Sequence, residues 1–240
     1  VRLFGFPVRS EWTFFLVAAI LGSRAASPQA ILIWMVAVLV SVLLHELGHA
    51  VAARSLGIHP EIVLYGMGGA TRYVTWQPLS HWQQIGISVA GPAIGLVVGG
   101  AILWSLWHMG SPGSPLLKLL LVDLVRINIV WSLVNLAPVL PLDGGNIMAS
   151  LTHLLRGYSR MELPLAISII CGAAAAVVAL YFGLIFVALL AGWFTYQNVT
   201  ALRASGTGLT RSEVRATQVV LVMVAGLLMA GYWLLRSGGA

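Results

Sequence analysis

Long uncharged stretches, separated by short polar clusters, set the frame of this chain. They run from Trp12 to Ser23, from Ala25 to Leu44, from Tyr73 to Leu117 and from Leu163 to Leu202, with a last one from Ala216 to Leu235. Crossing about 30 Å of hydrocarbon takes about 20 helical residues, so each run is a candidate membrane span. The forty residues Leu163 to Leu202 would make one helix of about 60 Å, twice that thickness. They are therefore two spans, turning near Tyr181-Phe182-Gly183. The remaining expected spans start near Trp12 and cover about Gln29 to Ser55, Trp82 to Met109, Leu116 to Leu136 and Ala216 to Leu235. The first is short, and needs Glu11 and Arg24 at the interfaces or help from Leu3 to Phe6. A short helix is expected between Asp143 and Arg156.

Two segments break the helical pattern. Val1 to Ser10 alternates apolar and other residues around Gly5 and Pro7, which predicts an extended segment at the membrane surface. Between Gly57 and Pro78, β-branched and aromatic residues flank the cluster Gly66-Met67-Gly68-Gly69, the signature of a β-hairpin with a tight or bulged turn. An ordinary loop is the alternative. The expected fold class is an all-α polytopic membrane protein of six to seven transmembrane helices with a short membrane-associated sheet. Residues 1–202 form its core, and 203–240 form a polar link and an additional C-terminal span.

Composition agrees with this frame. Of 240 residues, 59% are hydrophobic and 8% charged, against about 25% charged in a soluble domain. The net charge of +6 could suggest nucleic acid, but its placement argues for membrane topology and no nucleic-acid partner. With seven spans, Arg2, Arg9, Arg54, Arg72, Arg156, Arg160, Arg203, Arg211 and Arg215 fall on one side, and Arg24, Lys118 and Arg236 on the other. The positive-inside rule then makes the first side, and with it the amino terminus, cytoplasmic. The single cysteine, Cys171, lies in an apolar run, which excludes internal disulfides and cysteine-based metal sites. No cleavable signal peptide is evident.

The chemistry gathers at the end of the second span, where His45-Glu46-Leu47-Gly48-His49 forms an H-E-x-x-H motif. Histidines four apart lie one turn from each other on a helix, so both imidazoles can reach one metal ion, expected to be zinc. Glu46 can take a proton from a water that the metal has activated. Ionisable groups at the end of a membrane-length apolar run are costly, which makes them functional candidates rather than polar decoration. A catalytic zinc wants three protein ligands. Of the seven carboxylates, Glu46 is needed as the base, and Glu11, Glu162 and Glu213 lie near span ends. Glu61 lies in the hairpin, and Asp123 has Arg126 at i+3 for mutual neutralisation. Asp143 remains, in Asn135-Leu136-Ala137-Pro138-Val139-Leu140-Pro141-Leu142-Asp143-Gly144, where two prolines break a helix at membrane depth. After His49 and before Asp143 the chain reaches the same cytoplasmic side.

Together, His45-Glu46-Leu47-Gly48-His49, Ala90-Gly91-Pro92 and Asn135-x-x-Pro138-x-x-Pro141-Leu142-Asp143-Gly144, with the glycine-containing hairpin between the first two, resemble the site-2 protease family of intramembrane zinc metalloproteases. The resemblance covers about residues 1–202. It implies a zinc ion held by His45, His49 and Asp143, with Glu46 activating the water that attacks a peptide bond inside a substrate's transmembrane helix. The implied partners are the lipid bilayer and single-span substrates such as membrane-tethered transcription regulators or anti-sigma factors. The implied location is a bacterial or archaeal cell membrane, with the site toward the cytoplasm. Asn135 matches the family's asparagine, which holds substrate backbone or the developing oxyanion; a structural bond to broken helix backbone is the other reading. Gly68 and Gly69 belong to the sheet expected to contact substrate, through strand pairing at its edge. Many members carry a PDZ insertion or a CBS region, for which there is no room here, and the run Ala216 to Leu235 exceeds a six-span core.

Two other classes fit parts of the pattern. A zinc transporter or sensor would place further histidines or carboxylates along other spans, whereas His59, His81, His108 and His153 lie mostly near span ends. An inactive relative acting as a scaffold would have no need of Glu46.

Overall fold

A computed structural model describes residues 1–23, 27–156 and 161–205. Residues 206–240, with most of the expected polar link and the last span, lie outside the described residues. The chain divides into two compact units, Val1–Leu136 and Ala137–Ala240.

The first unit opens with strands β1 (Arg2–Leu3) and β2 (Phe6–Ser10), followed by helices α1 (Trp12–Gly22) and α2 (Pro28–Ser55). Strands β3 (Glu61–Tyr65) and β4 (Gly68–Arg72) come next, then helices α3 (His81–Met109) and α4 (Pro115–Asn135). The expected hairpin is β3–β4, antiparallel, with Leu64 opposite Gly69 and Ile62 opposite Thr71. The amino-terminal segment does more than lie extended. It turns at Phe4-Gly5, both at positive φ, and β2 pairs in parallel with β3, which gives a four-stranded sheet in the order β1-β2-β3-β4. The backbone there needs partners it cannot obtain from lipid, and the neighbouring strand supplies them. Arg54, in the last turn of α2, stacks its guanidinium 3.3 Å over the Phe6 ring and donates to the Phe4 carbonyl, fixing the hairpin to the helix. Ile62 and Leu64 pack with Phe6, Phe14, Val42, Leu47 and Ala50 in the buried core between sheet and helix.

Helix starts follow from caps written in the sequence. Ser27 and Ser114 accept from main-chain N–H groups three residues on, each ahead of a proline at the first helical position. Ser80 and Gln83 form a reciprocal capping box for α3. What joins α2, α3 and α4 is small residues at four-residue spacing. Ala37, Ser41, His45, His49 and Ala53 form one buried row on α2, and Ile87, Gly91, Gly95 and Gly99 form another on α3. Without side chains to separate them, helices in a membrane pack through close backbone approach.

The second unit holds α5 (Asp143–Arg156), α6 (Glu162–Tyr181) and α7 (Ile185–Ala204), with α6 and α7 joined by a turn at Phe182-Gly183-Leu184 where Gly183 takes φ +70°. This is where the forty-residue run was expected to turn.

Helices α2, α3, α6 and α7 are long and apolar enough to cross a membrane, and the chain is a multi-pass integral membrane protein with mostly helical structure. Helix α4 has 21 residues, about 30 Å of rise, but carries Lys118, Asp123 and Arg126. Two expectations change. The first span, α1, has 11 residues and rises only about 16 Å, because Leu3 to Phe6 are used in the turn and strand ends of the β1–β2 hairpin and cannot lengthen it. Asp123 and Arg126 form no direct ion pair; among the described residues the ion pair is Arg9 with Glu61, at 2.5 Å in the sheet.

Candidate active site

In the first unit, the second half of α2 carries His45, Glu46 and His49, all buried. The α-helical spacing brings the two imidazoles together, and their Nε2 atoms face each other at 3.1 Å. Two nitrogens bound to one tetrahedral zinc at about 2.05 Å lie about 3.3 Å apart, so the pair fits a shared ion. His49 Nδ1 lies 2.7 Å from the Ile87 carbonyl of α3. A carbonyl only accepts, so Nδ1 carries the proton and Nε2 presents its lone pair.

The Ala90-Gly91-Pro92 segment explains how α3 comes so near. A Cβ on Gly48 would stand 2.5 Å from the Ala90 oxygen, and a Cβ on Gly91 would stand 2.5 Å from His49 Cε1. The motif is therefore more than general packing: Gly91 makes the space in which the His49 ring lies. Further along the same row, Gly95 faces Ser132 and the main-chain oxygen of Asn128 on α4, and Asn128 Nδ2 donates to Ser41 Oγ at 2.8 Å, one turn before His45.

Glu46 points to the sheet. Gly69 and Thr71, two apart on β4, share one face of the strand, and both meet Glu46. A Cβ on Gly69 would lie 2.5 Å from Glu46 Cγ and 2.6 Å from its Oε1, while Thr71 Oγ1 lies 2.7 Å from Glu46 Oε2 and 3.0 Å from the Glu46 main-chain oxygen. Burial pushes the Tyr65 hydroxyl above its ordinary range, and the field of the Glu46 carboxylate pushes it the same way. Gly68, at φ +127°, faces the Trp131 ring of α4, which a Cβ there would meet at 2.9 Å. Asn135 closes α4, and its Nδ2 donates to the Trp131 oxygen at 3.0 Å, one turn back. That bond is of the structural kind the sequence left open.

In the second unit, Asp143 opens α5, where a carboxylate is favoured by the helix dipole. The proline-broken loop before it has exposed main-chain polar groups that lipid could not satisfy, and two buried side chains satisfy them. Ser168 of α6 accepts from Leu140 N–H at 3.0 Å, and Asn198 of α7 donates to the Leu140 oxygen at 2.8 Å. Gly145 packs against the main chain of Val139 and Leu140, each 2.5 Å from where its Cβ would be. Ser168, Asn198 and Thr71 were not singled out from the sequence. The available signal was a lone hydrogen-bonding residue in an otherwise apolar helix face, and a threonine two residues from a strand glycine.

Residues 33–120 match the model of Peptidase family M50. The chain is 31% identical over 169 residues to a candidate zinc metalloprotease of Synechocystis sp., covering 66% of this chain and 43% of that protein. It is 28% identical over 207 residues to a zinc metalloprotease of Methanocaldococcus jannaschii, covering 82% of this chain and 58% of that protein. The chain thus spans about half the length of these relatives. Among solved structures, the site-2 protease from Methanocaldococcus jannaschii superposes with a TM-score of 0.57 at 26% identity, covering 88% of this chain and 96% of the solved one.

Proposed function

Because residues 33–120 match the model of Peptidase family M50 and the chain resembles a solved site-2 protease over most of its length, we propose that it is a zinc-dependent intramembrane endopeptidase that cuts a membrane-spanning segment of its substrate. The observation that carries this reading is the pair of buried histidine Nε2 atoms 3.1 Å apart with the Glu46 carboxylate on the adjacent residue. His45 and His49 would hold the zinc ion, with Asp143 as the third ligand that the resemblance to site-2 proteases implies. A zinc ion bound there would supply Lewis-acid activation of a water molecule and of the scissile carbonyl.

Glu46 accepts a proton from the attacking water on its carboxylate and returns it to the leaving nitrogen as the peptide bond breaks. Its burial beside the ligands keeps the carboxylate near the reacting atoms. The Ile87 carbonyl keeps the His49 proton on Nδ1. The substrate span unwinds locally, since a helical peptide bond is hydrogen-bonded and shielded, and the unwound segment pairs with the outer edge of β4. Gly68 and Gly69 lie on that edge, and Asn135 donates to the substrate backbone or to the oxyanion. The arginine distribution supports a site open toward the cytoplasm, and the resemblance to site-2 proteases implies a bacterial or archaeal membrane and single-span regulators, such as anti-sigma factors or membrane-tethered transcription regulators, as substrates.

The test is incubation of the purified chain in detergent with a single-span protein carrying a helix-breaking residue in its span. Products mapped by mass spectrometry to a bond inside the span, lost with a zinc chelator and regained with zinc, support the reading. Cleavage outside the span, or cleavage indifferent to the chelator, contradicts it.

A further inference from the structure

We propose that Thr71 is the positioning residue for the base: its hydroxyl fixes the Glu46 carboxylate in the orientation that proton transfer requires. This rests on the reading of Glu46 as the proton acceptor and adds a residue to which no role has been given.

The need for such a residue follows from the glutamate side chain. Its terminal torsion joins sp³ and sp² carbons, so it has a broad, roughly two-fold profile and no sharply preferred setting. Helix α2 fixes where Glu46 begins, but it does not fix where the carboxylate plane faces. The neighbouring β4 does this with two residues on one face. Gly69 leaves the space beside Cγ and Oε1, so that side of the carboxyl is bounded by main chain. Thr71 places Oγ1 at 2.7 Å from Oε2, the short range of a hydroxyl donating to a carboxylate. The same Oγ1 lies 3.0 Å from the Glu46 main-chain oxygen, so the hydroxyl is located against the helix as well as against the side chain. Two acceptors of one residue meeting one hydroxyl leave little freedom to either partner. Ile62, opposite Thr71 in the strand pairing, is fully buried in the core cluster, which anchors this part of the sheet.

The arrangement joins two functions in one strand. Strand β4 is the edge of the sheet and the proposed docking strand for substrate, and it is also the strand that holds the base. A defect at Thr71 should therefore lower turnover more than substrate affinity, because valine keeps the shape and the main-chain hydrogen bonds of β4 and removes only the hydroxyl.

The experiment compares the full chain as wild type, Thr71→Val, Thr71→Ser and Glu46→Gln, with zinc content, thermal midpoint, kcat and KM measured for each on one single-span substrate. Thr71→Val should bind zinc as wild type does and lose about 10- to 100-fold in kcat with KM within about twofold, the range of orienting partners in metal sites. Thr71→Ser, which keeps the hydroxyl, should recover most of that loss. If Thr71→Val turns over as wild type, the proposal is overturned while the protease reading stands. Equal losses in the valine and serine variants, or loss of zinc or thermal midpoint in step with activity, would make the residue structural and also overturn it. No cleavage by zinc-loaded wild type would overturn the protease reading and this proposal with it.

Discussion

Replacing Gly91 by alanine tests how closely His49, the proposed metal ligand, is confined. An ideal Cβ at this position would stand 2.5 Å from His49 Cε1, where non-bonded carbons rest at about 3.5 to 4.0 Å. Something must therefore move by about 1 Å. The His49 ring is tied at Nδ1 to the Ile87 carbonyl, and giving up that buried bond costs about 1 to 3 kcal/mol. Withdrawing α3 instead costs about 1 to 3 kcal/mol of strained packing, since Gly48 already leaves only contact distance to Ala90 and Gly91. Alanine in a helix offsets up to about 1 kcal/mol of this in stability, so a thermal midpoint would understate the damage. Zinc affinity would not, because the propensity gain is the same with and without the ion. A loss of about 1 to 3 kcal/mol at the site is about 5- to 150-fold in the dissociation constant, read by competition with a fluorescent zinc chelator. Gly86→Ala and Gly100→Ala, on the same helix with nothing within 4 Å of the added methyl, are the controls and should bind zinc unchanged. Gly91→Ala with the affinity of these controls would refute the idea that the glycine makes room for His49.

Gly69→Ala should leave zinc binding intact and reduce cleavage about 10- to 100-fold by pushing on Glu46 Cγ; unchanged turnover would contradict the packing described. Asn198→Leu removes the donor to the Leu140 carbonyl and should cost about 1 to 3 kcal/mol, seen as a lower thermal midpoint, whereas an unchanged midpoint would show that the loop before Asp143 does not depend on this bond. Asp143→Asn should lose zinc while retaining helical content by circular dichroism, and full zinc occupancy in that variant would remove Asp143 from the ligand set.

Much of this was legible because a bilayer leaves few choices. Uncharged runs of about 20 residues must be helices, so α2, α3, α6 and α7 lie within a residue or two of where the apolar pattern places them, as does the charged but mostly apolar α4, and the turn at Gly183 is forced by length. The H-E-x-x-H spacing gave the His45–His49 pair because helical periodicity is local. What could not be read was non-local. The parallel pairing of β2 with β3 joins residues more than fifty apart, and nothing in Val1 to Ser10 names its partner. That choice in turn shortened the first span, because Leu3 to Phe6 could serve a strand or a helix but not both. The glycine cluster Gly66-Met67-Gly68-Gly69 marked a hairpin without indicating that Gly69 and Thr71 would share the face that meets Glu46. Ser168 and Asn198 looked like ordinary polar residues in apolar runs, since the main-chain groups they satisfy lie in a loop far away in sequence.

Everything proposed for the site turns on Glu46 as the base of a zinc peptidase. The most direct measurement is cleavage of a helix-destabilised single-span protein by the purified chain and by Glu46→Gln, with zinc content determined in both. With Glu46 as the base, zinc should be equal in the two proteins and cleavage should come from the wild type alone. Equal cleavage by both proteins, or zinc in both with none from either across a panel of single-span substrates, would contradict it.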